Sequence, residues 1–190
     1  MSHALSRTGY EMSADQFFDW PGDGTGRSYQ LIDGEPVLMA PPSNYHGLLQ
    51  GQLAVIIGSH LRVRRPDCRV LVGPGVRPRP DMDLNVRVPD LAVACGVAAG
   101  KYLPNPLLIV EILSPSNARE TREAVRAMLS VPSLREVLIV GSEAVVAEVY
   151  TKDADGVWPA KPQVVGAGQL LRLASIDLDL AMDEVYAGLF

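Results

Sequence analysis

Residues 107–113 read LLIVEIL, six apolar side chains interrupted by one carboxylate, and residues 89–95 read PDLAVAC, an acid followed by a second apolar run. Short unbroken apolar runs bounded by Pro104-Asn105-Pro106 and by Ser114-Pro115-Ser116 are the pattern of strands covered on both faces, so both stretches are expected at the centre of a sheet. Glu111 then needs an explanation. A carboxylate in mid-strand loses its hydration, and an unpaired buried charge costs several kcal/mol, about enough to drive the group neutral. It can be compensated by an arginine, by staying protonated and hydrogen-bonded, or by a metal shared with a second acid. Asp90 is the natural second acid, because the 21 residues from Asp90 to Glu111 span two strands and a connection. Two carboxylates suit a hard ion such as Mg²⁺.

Outward from this pair the chain alternates strand and helix signals. Ser13 is an N-cap candidate for a short helix carrying Phe17, Phe18 and Trp20. YQLIDGEPVLM (29–39) has Asp33-Gly34 between two apolar runs, which predicts an N-terminal β-hairpin. Ser43 caps an expected, largely buried helix to about Arg64, with Leu48, Leu49, Gln52, Leu53, Ile56 and Ile57 near helical spacing. Residues 69–88 are broken by Gly73, Pro74, Gly75, Pro78 and Pro80, so strands there are short and lie at a sheet edge. Asn117 and Glu120 resemble a capping box for a helix to about Leu129. REVLIVG (135–141) and AVVAEVY (144–150) read as an antiparallel pair around Ser142-Glu143, residues 163–173 as a strand or two, and 178–189 as a helix. The order describes a mixed α/β (α+β) sheet flanked by helices, in one domain over 1–190.

Composition narrows the function classes. The net charge of −5 argues against a protein that coats nucleic acid by bulk electrostatics. Between Arg62 and Arg87, however, seven arginines stand against three aspartates, an expected local basic surface. Lysines number only three, at 101, 152 and 161. The opening MSHALSRTGYEM lacks a signal-peptide core and no run is long enough to span a bilayer, so the expectation is a cytoplasmic protein with no membrane partner. Cys68 and Cys95 lack the spacing of a zinc or redox motif and are expected as two reduced thiols. Ser114 and Ser116 sit in no nucleophile elbow, which sets aside a serine hydrolase built with His46 and Asp90.

The combination of YQLIDGE (29–35), His46, Pro89-Asp90-Leu91 and IVEILSPS (109–116), in that order, resembles the bacterial family of restriction-endonuclease-like proteins within the PD-(D/E)XK nuclease superfamily. The similarity covers about residues 10–150. It implies a restriction-endonuclease-like fold, a central mixed sheet flanked by helices, with Asp90, Glu111 and the carbonyl of Ile112 holding Mg²⁺ (or Mn²⁺). It further implies hydrolysis of DNA phosphodiester bonds, DNA as partner, and supporting roles for Gln30 and His46; Glu35, just after the hairpin turn, points into the same cleft or sits exposed on the hairpin, with a supporting role expected. The chain departs from that pattern in three places: Leu113 and Val125 occupy the positions where relatives place lysine, and Gln30 stands where many carry glutamate. No lysine occurs in 102–151, which leaves Arg122 and Arg126, on one face with Arg119, as substitutes or as a solvated basic face. An arginine stabilises charge but cannot act as a base near neutral pH.

Three functions are compatible with these residues: a metal-dependent endonuclease impaired by loss of the usual lysine, a degenerate relative that binds nucleic acid or a protein without cutting, and a structural module that dimerises through strand edges. A symmetric homodimer is the expected assembly.

Overall fold

The computed structural model describes residues 11–78, 83–96, 100–115 and 117–189. Ser13 caps α1 (Ala14–Asp19) through a reciprocal pair of bonds with Gln16. A hairpin of β1 (Tyr29–Ile32) and β2 (Glu35–Leu38) follows, turning at Asp33-Gly34 with both residues at positive φ. Ser43 caps α2 (Asn44–Arg64), accepting from the His46 N–H at 3.2 Å.

The central sheet has the spatial order β3 (Cys68–Val72), β4 (Leu91–Cys95), β5 (Leu108–Leu113), β6 (Glu136–Gly141), β7 (Val146–Thr151), β8 (Gln163–Gly166). Only β5 and β6 run parallel, and α3 (Ala118–Met128) makes the crossover between them. β9 (Leu170–Leu173) and β10 (Leu178–Ala181) form a separate antiparallel pair that leads into the single turn of α4 (Met182–Val185).

Strand alternation divides the core into two layers. Leu49, Leu53, Ile57 and Leu61, each four residues on from the last, pack from α2 against Leu91, Val93, Val110, Ile112, Leu138 and Val140. Leu171, Leu173, Leu178, Leu180 and Met182 of the C-terminal elements join the same layer. On the other face Val125 and Met128 of α3 pack with Ala92, Ile109, Val137 and Ile139. Truncating one such side chain, as in Leu53→Ala, costs about 2–5 kcal/mol.

A fully buried carboxylate ties the C-terminal segment to this sheet. Glu136, at the start of β6, accepts from the Ala174 and Ser175 N–H groups, the Ser175 hydroxyl and the Thr151 hydroxyl, at 2.7–3.1 Å. Four donors replace the hydration that burial removes.

Several expectations are corrected. α2 buries one stripe only: Leu48 is 58% exposed and Val63 78%, because the sheet covers just the 49/53/57/61 face. The expected helix over 178–189 is a strand to Ala181 and then one helical turn, since Leu178 and Leu180 alternate inward against β9. Asn117 forms no capping box; its side chain accepts from the Ser114 N–H at 2.7 Å instead, tying the helix start back to β5. Four residues, 142–145, separate β6 from β7, rather than two. Cys68 and Cys95, expected as reduced thiols, face each other in the β3–β4 register and are joined by a disulfide. The basic stretch does not form one surface: Arg77 pairs with Asp83 at 2.7 Å, Arg87 turns into a cleft, and Arg62, Arg64 and Arg69 are exposed at the end of α2 and on β3. Arg79 and Ser116 lie outside the described residues. Among the described residues no helix is long and apolar enough to cross a membrane.

Candidate active site

Continuing the Leu91–Val110 pairing by one step sets Asp90 opposite Glu111 across the two central strands. One Asp90 oxygen, Oδ2, accepts the backbone N–H of Ile112 at 2.6 Å, which holds the side chain against β5. The other, Oδ1, lies 3.1 Å from Nε2 of His46 in the first turn of α2. Gln50, one turn further along α2, donates to the Asp90 carbonyl at 2.9 Å. In the sequence nothing marks Gln50 beyond its spacing of four from His46.

Glu111 is 8% exposed. Burial pushes its carboxyl well above the usual carboxylate range, and the negative charge of Asp90 pushes in the same direction; the Asp90 backbone N–H and the Arg87 guanidinium pull back. Among the described residues no basic side chain forms an ion pair with Glu111, and only His46 reaches Asp90. Two adjacent acids, one of them desolvated and without a cationic partner, are a donor set that a divalent cation would complete. His46, Asp90 and Glu111 do not bring one ligand atom each into a tight triad; among the described residues that arrangement occurs only at Asp67, Cys68 and Cys95, where the sulfurs are already bonded to each other. The oxygen donors that fit a hard ion are therefore the two carboxylates, with the carbonyl of Ile112 within the same strand.

The remaining candidates separate into two groups. Gln30 on β1 accepts from Arg87 at 3.3 Å, so its amide is turned toward a cation beside the carboxylates. Arg126 lines a cleft of about 290 Å³ together with Arg87, Asp33 and Asn85. Arg122, by contrast, is clasped by Glu148 on β7 at 2.9 and 2.6 Å, which raises its pKa further. Glu35 is exposed on the hairpin. Its neighbour Asp33 is the hairpin acid that reaches the cleft, bonded to Asn85. Leu113 is half-buried and Val125 is buried in the α3-side core.

Arg87, like Gln50, is a residue that the sequence pattern does not single out. Burial lowers its pKa, and the charges of Asp33, Glu123 and Glu111 oppose that shift. It stood out in the sequence only as one of seven arginines. Its position beside the acids comes from an isolated bridge to Val76 and from the neighbouring Val86 bridge to Leu31 of the hairpin.

Comparison with known proteins gives matches of three kinds. A family model, Uma2, described as "Putative restriction endonuclease", matches residues 14–183. An uncharacterized protein of Synechocystis sp. is 26% identical over 201 aligned residues, covering 100% of this chain and 98% of that protein. A crystal structure titled as a "putative nuclease belonging to DUF820" from Anabaena variabilis superposes with a TM-score of 0.73 at 18% identity, over 93% of this chain and 98% of the other. At that identity the superposition speaks for the fold alone: a central mixed sheet flanked by helices, as expected from the sequence.

Proposed function

The chain belongs to the Uma2 family, and from that membership we propose that it is a metal-dependent endonuclease that hydrolyses DNA phosphodiester bonds. The observation that supports this most is the buried Glu111 carboxylate set opposite Asp90 with no basic ion-pair partner among the described residues. A structural acid would be given an arginine, or a cage of donors such as surrounds Glu136. Glu111 has neither.

Asp90, Glu111 and the Ile112 carbonyl would hold the ion, Mg²⁺ or Mn²⁺. When bound, such an ion supplies polarisation of a phosphodiester and a more acidic water. The chain's own residues do the rest. The Ile112 N–H and His46 fix both oxygens of Asp90, so its orientation costs little on binding. Gln50 holds the Asp90 backbone. In the net reaction water adds at phosphorus, one P–O bond to a sugar oxygen breaks, and that oxygen leaves with a proton.

A second reading, a nuclease fold that binds without cutting, is favoured by Leu113 and Val125 at the two lysine positions and by the Arg122–Glu148 pair, which engages Arg122. Plasmid nicking decides between them. The endonuclease reading expects Mg²⁺- or Mn²⁺-dependent nicking that Asp90→Ala abolishes, and Mn²⁺ binding by calorimetry that Glu111→Gln weakens. DNA binding with no metal-dependent nicking would replace it with the second reading.

A further inference from the structure

Cleavage of a phosphodiester adds negative charge at phosphorus, and a desolvated site needs a cation to face it. Arg122 is held by Glu148, and Arg77 by Asp83. Two arginines differ. Arg87 is half-buried, its Nε is buried with no hydrogen-bond partner among the described residues, and the one hydrogen bond its guanidinium makes among them runs to Gln30 at 3.3 Å. A buried N–H with an unmade bond costs about 1–3 kcal/mol unless a ligand completes it. Asp33, Glu123 and Glu111 attract Arg87 from beyond ion-pair distance. Arg126, exposed on α3, has no ion pair among the described residues and lines the same cleft of about 290 Å³, near the small end of ligand pockets.

We infer that Arg87 and Arg126 form an anion subsite that grips a phosphate of the nucleic-acid backbone beside the Asp90–Glu111 pair, with Arg87 as the cation turned toward the reacting phosphate. The role of Arg87 at the reacting phosphate rests on the endonuclease reading; the anion subsite does not. Arg87 is the better placed of the two because it spans from the cleft to the electrostatic neighbourhood of Glu111, whereas Arg126 contributes only from the cleft's rim. Asp33 also lines the cleft, but its carboxylate is engaged by Asn85 at 3.2 Å. A planar fork of donors suits a phosphate with two accessible oxygens.

The test uses a fluorescein-labelled 20-base-pair duplex, with anisotropy followed in EDTA across a salt series, and single-turnover plasmid nicking in Mn²⁺. Arg87→Ala and Arg126→Ala should each weaken binding about 10-fold and reduce the slope of log affinity against log salt by about one. A merely structural role would not change that slope. Arg126 is exposed, so its variant stays informative if Arg87→Ala lowers the melting temperature. In nicking, Arg87→Ala should lose at least ~100-fold and Arg87→Lys should recover to within ~10-fold of the native chain. Unchanged salt slopes in both variants, or no binding by the native protein, would overturn the subsite. Nicking by Arg87→Ala at the native rate, or an Arg87→Lys as inactive as Arg87→Ala, would overturn its role at the reacting phosphate. Binding that depends on both arginines, with no Mn²⁺-dependent nicking by the native protein, would support the subsite while removing the endonuclease reading.

Discussion

Arg122 of α3 and Glu148 of β7 meet through two bonds, at 2.9 and 2.6 Å, so one of the two arginines expected to substitute for lysine is committed to holding the helix on the sheet. A double-mutant cycle on Arg122→Ala and Glu148→Ala should return a coupling of about 1 kcal/mol by chemical denaturation, the size of a partly exposed bidentate pair. Nicking, where the native chain shows it, should survive Arg122→Ala within a few-fold. A loss as deep as that of Asp90→Ala would place Arg122 at the reacting phosphate after all.

Glu111 ties stability to pH. Its carboxyl lies above the usual range in the folded protein, so the folded chain holds a proton that the unfolded chain has already released. Stability of the metal-free protein is therefore highest below the ordinary glutamate pKa of about 4.3 as far as this group is concerned, and falls as pH rises through Glu111's raised value. Glu111→Gln should flatten that fall and melt a few degrees higher at neutral pH without metal. Thermal melts from acid to mildly alkaline pH, with and without Mn²⁺, measure both effects; a Glu111→Gln curve parallel to the native one would contradict them.

His46 acts through Asp90. Removing its Nε2 contact in His46→Ala should cost on the order of 10-fold in Mn²⁺ affinity, read by calorimetry, while leaving the melting temperature of the metal-free protein within a few degrees. An affinity equal to the native value would show that the Ile112 N–H alone orients the acid.

Glu136→Ala deletes an acceptor that four donors share, and removes the buried carboxylate that joins them. The expected cost is about 3 kcal/mol, a drop of roughly 6–12 °C in melting temperature. Protection of the Ala174 and Ser175 amides in hydrogen exchange should fall first, since Glu136 is their acceptor. Native-like melting would mean that packing of Leu171, Leu173 and Ile176 alone docks the C-terminal segment.

By itself the sequence determined the central strands, the hairpin, the long helix and the facing of Asp90 and Glu111. Those follow from local rules: unbroken apolar runs, an Asp-Gly turn, a serine cap, and a mid-strand carboxylate whose burial demands an explanation. Tertiary structure alone decided which cations stand near the acids. Arg122 and Arg87 are equally charged in sequence, but one meets Glu148 across the sheet and the other is drawn into the cleft by bridges between residues far apart in the chain. The same holds for the Cys68–Cys95 bond, set by strand register, and for the tail, where alternation over four residues competes with helical spacing until β9 is there to pair with. Periodicity records which face of an element is covered; it carries no information about which distant side chain does the covering.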